Sequence, residues 1–149
     1  GVPMLEPSDS QEAYDFFLAA VDLSERWKIP VLFRVTTRVC HSKTVVRPRP
    51  ATKGRPQPTF ERDVKGRVMI PAWARPAHAR LRQKLAEIAE WNETSPLNVV
   101  VTGDTKLGII TSGISFMHVR DAAPEASVLK LGLTHPLPFR KIRQFVDRV

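Results

Sequence analysis

Apolar residues recur at three- and four-residue steps in some stretches of the chain and form short unbroken runs in others, a mixture that predicts an α/β protein. Between Ser8 and Trp27, the residues Ala13, Phe16, Phe17, Ala20, Ser24 and Trp27 make one mostly apolar helical face. Ser8 followed three residues later by Gln11 has the spacing of a capping box. Asp9 and Glu12 add negative charge at the positive end of the helix dipole, and Pro30 ends the helix. Val31, Leu32, Phe33 and Val35 follow as a β-rich run with little alternation, as in a parallel strand covered on both faces. A helix followed at once by such a strand is half of a βαβ unit. No first strand is evident, so the chain is expected to begin inside a larger domain.

A second block follows the same grammar. Pro76 is placed to start a helix whose inner stripe is Leu81, Leu85, Ile88 and Trp91, and Pro96 closes it. Leu107 to Thr111 then reads as a strand, Ile114 to Ala122 as a helix and Val128 to Leu133 as a strand, a βαβ crossover that should be right-handed. Pro138 to Val149 predicts one more helix with Phe139, Ile142, Phe145 and Val146 inward. A parallel sheet would want a further strand after it, so this end also reads as cut.

Charge separates the blocks. The net charge is +8, and residues 43–67 hold eight basic side chains against Glu61 and Asp63, leaving +2 for the rest. With Pro48, Pro50, Pro56 and Pro58 in the same stretch, residues 43–75 are expected to be a basic, proline-rich linker, mobile over 43–67. The expected organisation is therefore 1–42, linker 43–75 and a second α/β unit over 76–149. No aromatic stacking platform or nucleic-acid motif accompanies the charge, so a nucleic-acid partner is not expected. No apolar run approaches the ~20 residues of a spanning helix. The start "GVPMLEPSDS" has no signal-peptide pattern, and a cytoplasmic location is expected.

Chemistry concentrates in "PVLFRVTTRVCHSK", residues 30–43. Cys40 is the only cysteine, which excludes an internal disulfide and an iron–sulfur cluster held by this chain alone. Beside His41 it resembles a thiol and its base. Neighbours on an extended chain point to opposite faces, however, so Cys40 is expected to be a small packed residue. His41, His78, His118 and His135 show no metal-ligand spacing, and no metal site is expected. Thr36, Thr37, Arg38, His41 and Ser42 lie where a parallel strand ends, the place at which open α/β sheets put ligands, and are candidate contacts for an anion or a carbonyl. Alternatively, Arg38 and His41 cap the loop or pair with an acidic neighbour. Thr111, Ser112 and Gly113 sit at a strand-to-helix turn, which serves either as an anion cradle or simply as a tight turn.

The segments "PMLEPSDSQEAYDF", "PVLFRVTTRVCHSK", "GDTKLGIITSGIS" and "LKLGLTHPLP", in that order, resemble the alpha subunits of the indolepyruvate branch of the thiamine-dependent 2-oxoacid:ferredoxin oxidoreductases. The resemblance implies that residues 1–42 end a pyrimidine-binding thiamine domain and that residues from about 97 onward form most of a transketolase C-terminal-like domain. It implies oxidative decarboxylation of an aryl-2-oxoacid to its coenzyme A ester, with thiamine diphosphate, magnesium and iron–sulfur clusters in the whole enzyme. The implied partners are the remainder of the alpha subunit, a beta subunit and ferredoxin. The activating glutamate, the diphosphate motif and the cysteine-rich end of that family do not occur here. This chain alone is therefore expected to hold none of these cofactors, to carry no catalytic residue and to be inactive. The alternatives are a pyruvate or 2-oxoglutarate enzyme of the same superfamily and a non-catalytic interaction domain.

Overall fold

The computed structural model describes residues 1–50 and 59–149. Its elements run β1 (Met4–Leu5), α1 (Ser10–Trp27), β2 (Leu32–Phe33), α2 (Thr37–His41), α3 (Val64–Arg67), α4 (Pro71–Asn92), β3 (Val99–Val101), β4 (Asp104–Ser112), α5 (Ser115–Ala122), β5 (Ala126–Leu131), β6 (Leu133–His135) and α6 (Phe139–Val146). They build two three-stranded sheets, ordered β2-β1-β6 and β3-β5-β4.

The first βαβ unit is complete, contrary to the expectation that its opening strand is missing. Met4 and Leu5 pair in parallel with Leu32 and Phe33. Two residues between Pro3 and Pro7 are too short a run to show a period, which is why the pattern does not reveal them. β1 is the middle strand, with β6 antiparallel on its other side. β2 is consequently an edge strand. It is not covered on both faces: Leu32 is 49% exposed and Val35 is also exposed. The cap of α1 is shifted one residue from the expected Ser8–Gln11 pair. Asp9 accepts the Glu12 N–H at 2.8 Å, while the Glu12 carboxylate accepts the Ser8 N–H at 2.9 Å and the Ser8 hydroxyl at 2.7 Å. Phe16, Ala20, Leu23 and Trp27 face the core, but Phe17 turns outward to meet the Phe33 ring edge-on.

Within residues 43–50, Arg47 and Arg49 bond to α1. Gln11 accepts from the Arg47 N–H at 2.7 Å and donates to its carbonyl at 3.2 Å, the Tyr14 hydroxyl accepts the Arg49 N–H, and Asp15 takes the Arg49 guanidinium. Residues 51–58, the middle of the expected linker, lie outside the described residues. α4 starts at Pro71, five residues before the expected Pro76, because Pro71 already occupies the first helical position that proline favours. Pro76 is carried inside the helix. The Ala72 carbonyl, deprived of its donor, belongs to an exposed residue open to solvent. The stripe Leu81, Leu85, Ile88 and Trp91 packs as expected onto α1 and β1.

The predicted crossover β4–α5–β5 is present, with β4 parallel to β5, and β3 adds antiparallel on the other side. β5 is buried at all six positions. The expected single strand Val128–Leu133 is in fact two, because the chain leaves one sheet at Leu131 and joins the other at Leu133. The switch is held by two buried asparagines. The Asn98 side-chain oxygen accepts the Gly132 and Leu133 N–H groups at 3.0 and 3.3 Å, and its amide donates to the Asn92 side chain at 2.7 Å. Asn92 donates to the Leu133 and Pro136 carbonyls. Gly132 is required here: a Cβ would lie 2.3 Å from the Leu97 carbonyl oxygen and 2.7 Å from the Phe16 ring. α6 is capped from outside by Glu93, whose carboxylate accepts the Arg140 and Lys141 N–H groups. It buries Phe145 and packs Ile142 against Leu129 and Leu131. Phe139 and Val146 face outward instead of inward, since this small sheet covers only one narrow stripe of the helix.

Candidate functional site at the seam of the two sheets

Pairing register puts Lys130 of β5 beside Val99 of β3 and Thr111 of β4, on one face of the sheet. That face is dry. Lys130 is 2% exposed, with its ammonium nitrogen 5.5 Å from the Phe16 ring centre and 5.1 Å from that of Phe116. Its ion-pair partner is Glu12, in the first turn of α1. Burial lowers the Lys130 pKa to about 8 and Asp9 opposes the shift, so for this lysine loss of hydration outweighs attraction.

Beside this pair stands Glu6, immediately after β1. One carboxylate oxygen accepts from Arg34 at 3.0 Å and from the Thr134 hydroxyl at 3.0 Å, and the other accepts from the Ser112 hydroxyl at 3.2 Å. The turns that follow two parallel strands, β1 and β4, thus meet across one carboxylate. Gly113, at φ 53°, makes the turn after β4, and a Cβ there would lie 3.5 Å from a Glu6 oxygen. The carboxylate bonded to Ser112 and nearest to Gly113 is the protein's own Glu6.

The other candidates lie on α2 or, for Thr36 and Ser42, at its two caps. Thr36, Thr37, Arg38, His41 and Ser42 are all exposed. Arg38 and His41, one turn apart, share a helix face. Neither Arg38 nor His41 makes an ion pair with a described residue. Ser42 turns its hydroxyl to the Val39 carbonyl at 2.8 Å and to the Ser10 hydroxyl at 3.0 Å, which fastens α2 to the first turn of α1. Cys40 is exposed, not packed; Val39 is the residue that α2 buries. The first turn of α1 is thus a hub, with Ser10 reaching α2 and Glu12 reaching β5. Arg38 and His41 offer donors to an external anion or carbonyl, whereas Ser42, Glu6 and Lys130 are already bonded internally.

Glu6, Glu12, Arg34, Lys130 and Thr134 were not among the sequence candidates. Only Lys130 carries a local signal, a lysine in the centre of the apolar run "SVLKLGL". Among the described residues, no group of three or more His, Cys, Asp or Glu is placed to hold a metal ion, and no helix is long and apolar enough to cross a membrane.

No protein-family model matches the chain. Curated relatives do. It is 39% identical over 152 residues to the indolepyruvate oxidoreductase subunit IorA of Methanothermobacter thermautotrophicus, covering 98% of this chain and 25% of that one. It is 35% identical over 153 residues to the subunit of the same name from Archaeoglobus fulgidus, covering 99% and 25%. The chain thus spans about a quarter of the length of the curated relatives it matches. Among solved structures, a 2-oxoglutarate:ferredoxin oxidoreductase from Magnetococcus marinus, with 2-oxoglutarate, coenzyme A and succinyl-CoA bound, superposes with a TM-score of 0.61 at 15% identity. The match covers 98% of this chain and 33% of that one. The α/β fold built of βαβ units is therefore shared with that enzyme.

Proposed function

We propose that this chain, a homologue of about a quarter of the indolepyruvate oxidoreductase subunits, is the part of such a subunit that joins the end of a pyrimidine-binding thiamine domain, residues 1–42, to a transketolase C-terminal-like domain beginning near residue 97. The whole enzyme would oxidatively decarboxylate an aryl-2-oxoacid such as indolepyruvate to its coenzyme A ester and pass the electrons to ferredoxin. The observation that carries this reading is the 39% identity running through 98% of the chain.

The described residues do not fit the cofactors of that reaction. Thiamine supplies an electron sink for the carbanion left by decarboxylation. A diphosphate at the Thr111–Gly113 turn would meet the Glu6 carboxylate, the residues offer no metal cluster, and one exposed cysteine does not hold an iron–sulfur centre. On this reading the diphosphate, magnesium and clusters are held by other parts of the enzyme, and no catalytic step is assigned to this chain. Its contribution is contact and placement. Arg38, with His41, Ser42, Thr36 and Thr37 around it, supplies a planar donor, without an ion pair to a described residue, for a carboxylate or phosphate at the domain junction.

The test is Arg38→Lys in the assembled enzyme. If Arg38 holds an anionic group of substrate or cofactor, loss of paired hydrogen bonds lowers kcat/KM by about tenfold or more while Tm stays within about 2 °C. Unchanged kcat/KM would remove Arg38 from the site.

A further inference from the structure

The N-terminal half of α4 stands clear of the core. Leu81 is the first of its residues to pack there, and of Pro71–Arg80 only Trp73, Ala74 and Ala77 are even half-buried. Just ahead of the helix, Val68, Met69 and Ile70 are 43%, 54% and 44% exposed, three consecutive apolar side chains left open to water. Residues 60–82 also carry six basic side chains, Arg62, Lys65, Arg67, Arg75, Arg80 and Arg82, against Glu61 and Asp63. None of the six forms an ion pair with a described residue. Asp63 is occupied locally, accepting the Gly66 N–H at 2.8 Å as the cap of α3.

An exposed apolar centre inside a rim of unpaired like charge is the composition of a docking surface, and the rim selects a partner of opposite sign. We propose that residues 60–82 form an arm that docks a carboxylate-rich surface of another subunit of the oxidoreductase, a proposal that rests on the function given above. Two other anionic classes fit less well. A membrane surface needs a broad apolar helix face, and the exposed half of α4 offers alanines and one half-buried tryptophan. Single-stranded nucleic acid needs several stacking rings, and Phe60 is the one largely exposed aromatic of the arm.

The experiment uses the full-length subunit and its separately purified partner subunit, with Kd measured by calorimetry at two salt concentrations. Arg75→Glu/Arg80→Glu/Arg82→Glu should weaken binding by about tenfold or more, and Met69→Ser by a smaller factor, with the wild-type affinity falling as salt rises. Arg143→Glu/Arg148→Glu at the exposed end of α6 should leave Kd unchanged. The altered side chains are exposed, and circular dichroism checks the fold of each variant. No measurable wild-type association, a triple variant within about threefold of wild type, or equal loss in the α6 control would overturn the proposal. So would tighter binding of the wild-type arm to phosphatidylserine vesicles or a 20-nucleotide DNA than to the partner subunit. A complex that forms as described yet does not turn over indolepyruvate would contradict the proposed function and leave the docking result in place.

Discussion

Lys130, in the middle of a fully buried strand, is held by Glu12 from the first turn of a helix that belongs to the other sheet's βαβ unit. Removing one partner is not equivalent to removing the other. Glu12 also accepts both hydrogen bonds from Ser8, so Glu12→Ala leaves a buried ammonium unpaired and opens the α1 cap, at a cost of about 3 kcal/mol or more. Lys130→Met keeps the volume, removes the buried charge and leaves Glu12 its Ser8 donors, so its cost should stay within about 1 kcal/mol. Urea unfolding of the two variants and the double variant measures the difference. Equal losses would show that the pair stabilises the fold on balance.

The same lysine gives stability a pH dependence of defined sign. Its pKa is about 8 in the fold, below the 10.5 of a free lysine side chain. Between those values the unfolded chain binds more protons, so stability rises with pH through that window, by up to roughly 3 kcal/mol in all. Below pH about 8 the burial penalty is constant, and Lys130→Met should abolish the rise. Chemical denaturation at several pH values from about 7.5 to 10 checks this. A wild-type stability that falls over that range in parallel with the variant would refute it.

The sheet switch at Gly132 should be intolerant of change. Asn98→Ala strips two buried N–H groups of their acceptor, for a loss of about 2–4 kcal/mol. Gly132→Ala drives a methyl against the Leu97 carbonyl and the Phe16 ring and should cost about 2 kcal/mol or more, since the carbonyl is backbone and has little room to yield. Exposed Phe139→Ala on α6 should change stability by less than about 0.5 kcal/mol. Thermal melts of the three variants test the ranking, and a Gly132→Ala protein as stable as wild type would contradict the packing described.

These residues also mark what sequence pattern conveys and what it does not. The long helices and the β4–α5–β5 crossover were legible because their cores are local in sequence, as with Leu81, Leu85, Ile88 and Trp91. β1 was not, because a strand of two residues carries no period. The division of Val128–Leu133 between two sheets rests on Asn92 and Asn98, some 40 positions away, although a glycine inside an apparent strand is the kind of residue that marks a break. The helix that carries Arg38 after β2 is not legible in the sequence, because Thr37–His41 is too short for helical periodicity to show. Glu6 and Glu12 carry no local sign of the roles they take in the fold. Their partners Ser112, Thr134 and Lys130 lie more than a hundred residues away, and in sequence both read as ordinary acidic residues near a helix start.

Substrate choice by the full-length subunit with its partner tests the functional account most directly. Reduction of ferredoxin is followed with coenzyme A and, in turn, indolepyruvate, pyruvate and 2-oxoglutarate. The account predicts kcat/KM for indolepyruvate at least about tenfold above that for either of the others, the margin a side-chain pocket readily provides. Equal or better turnover of pyruvate or 2-oxoglutarate would contradict the aryl-2-oxoacid assignment, and no ferredoxin reduction with any of the three would contradict the oxidoreductase reading itself.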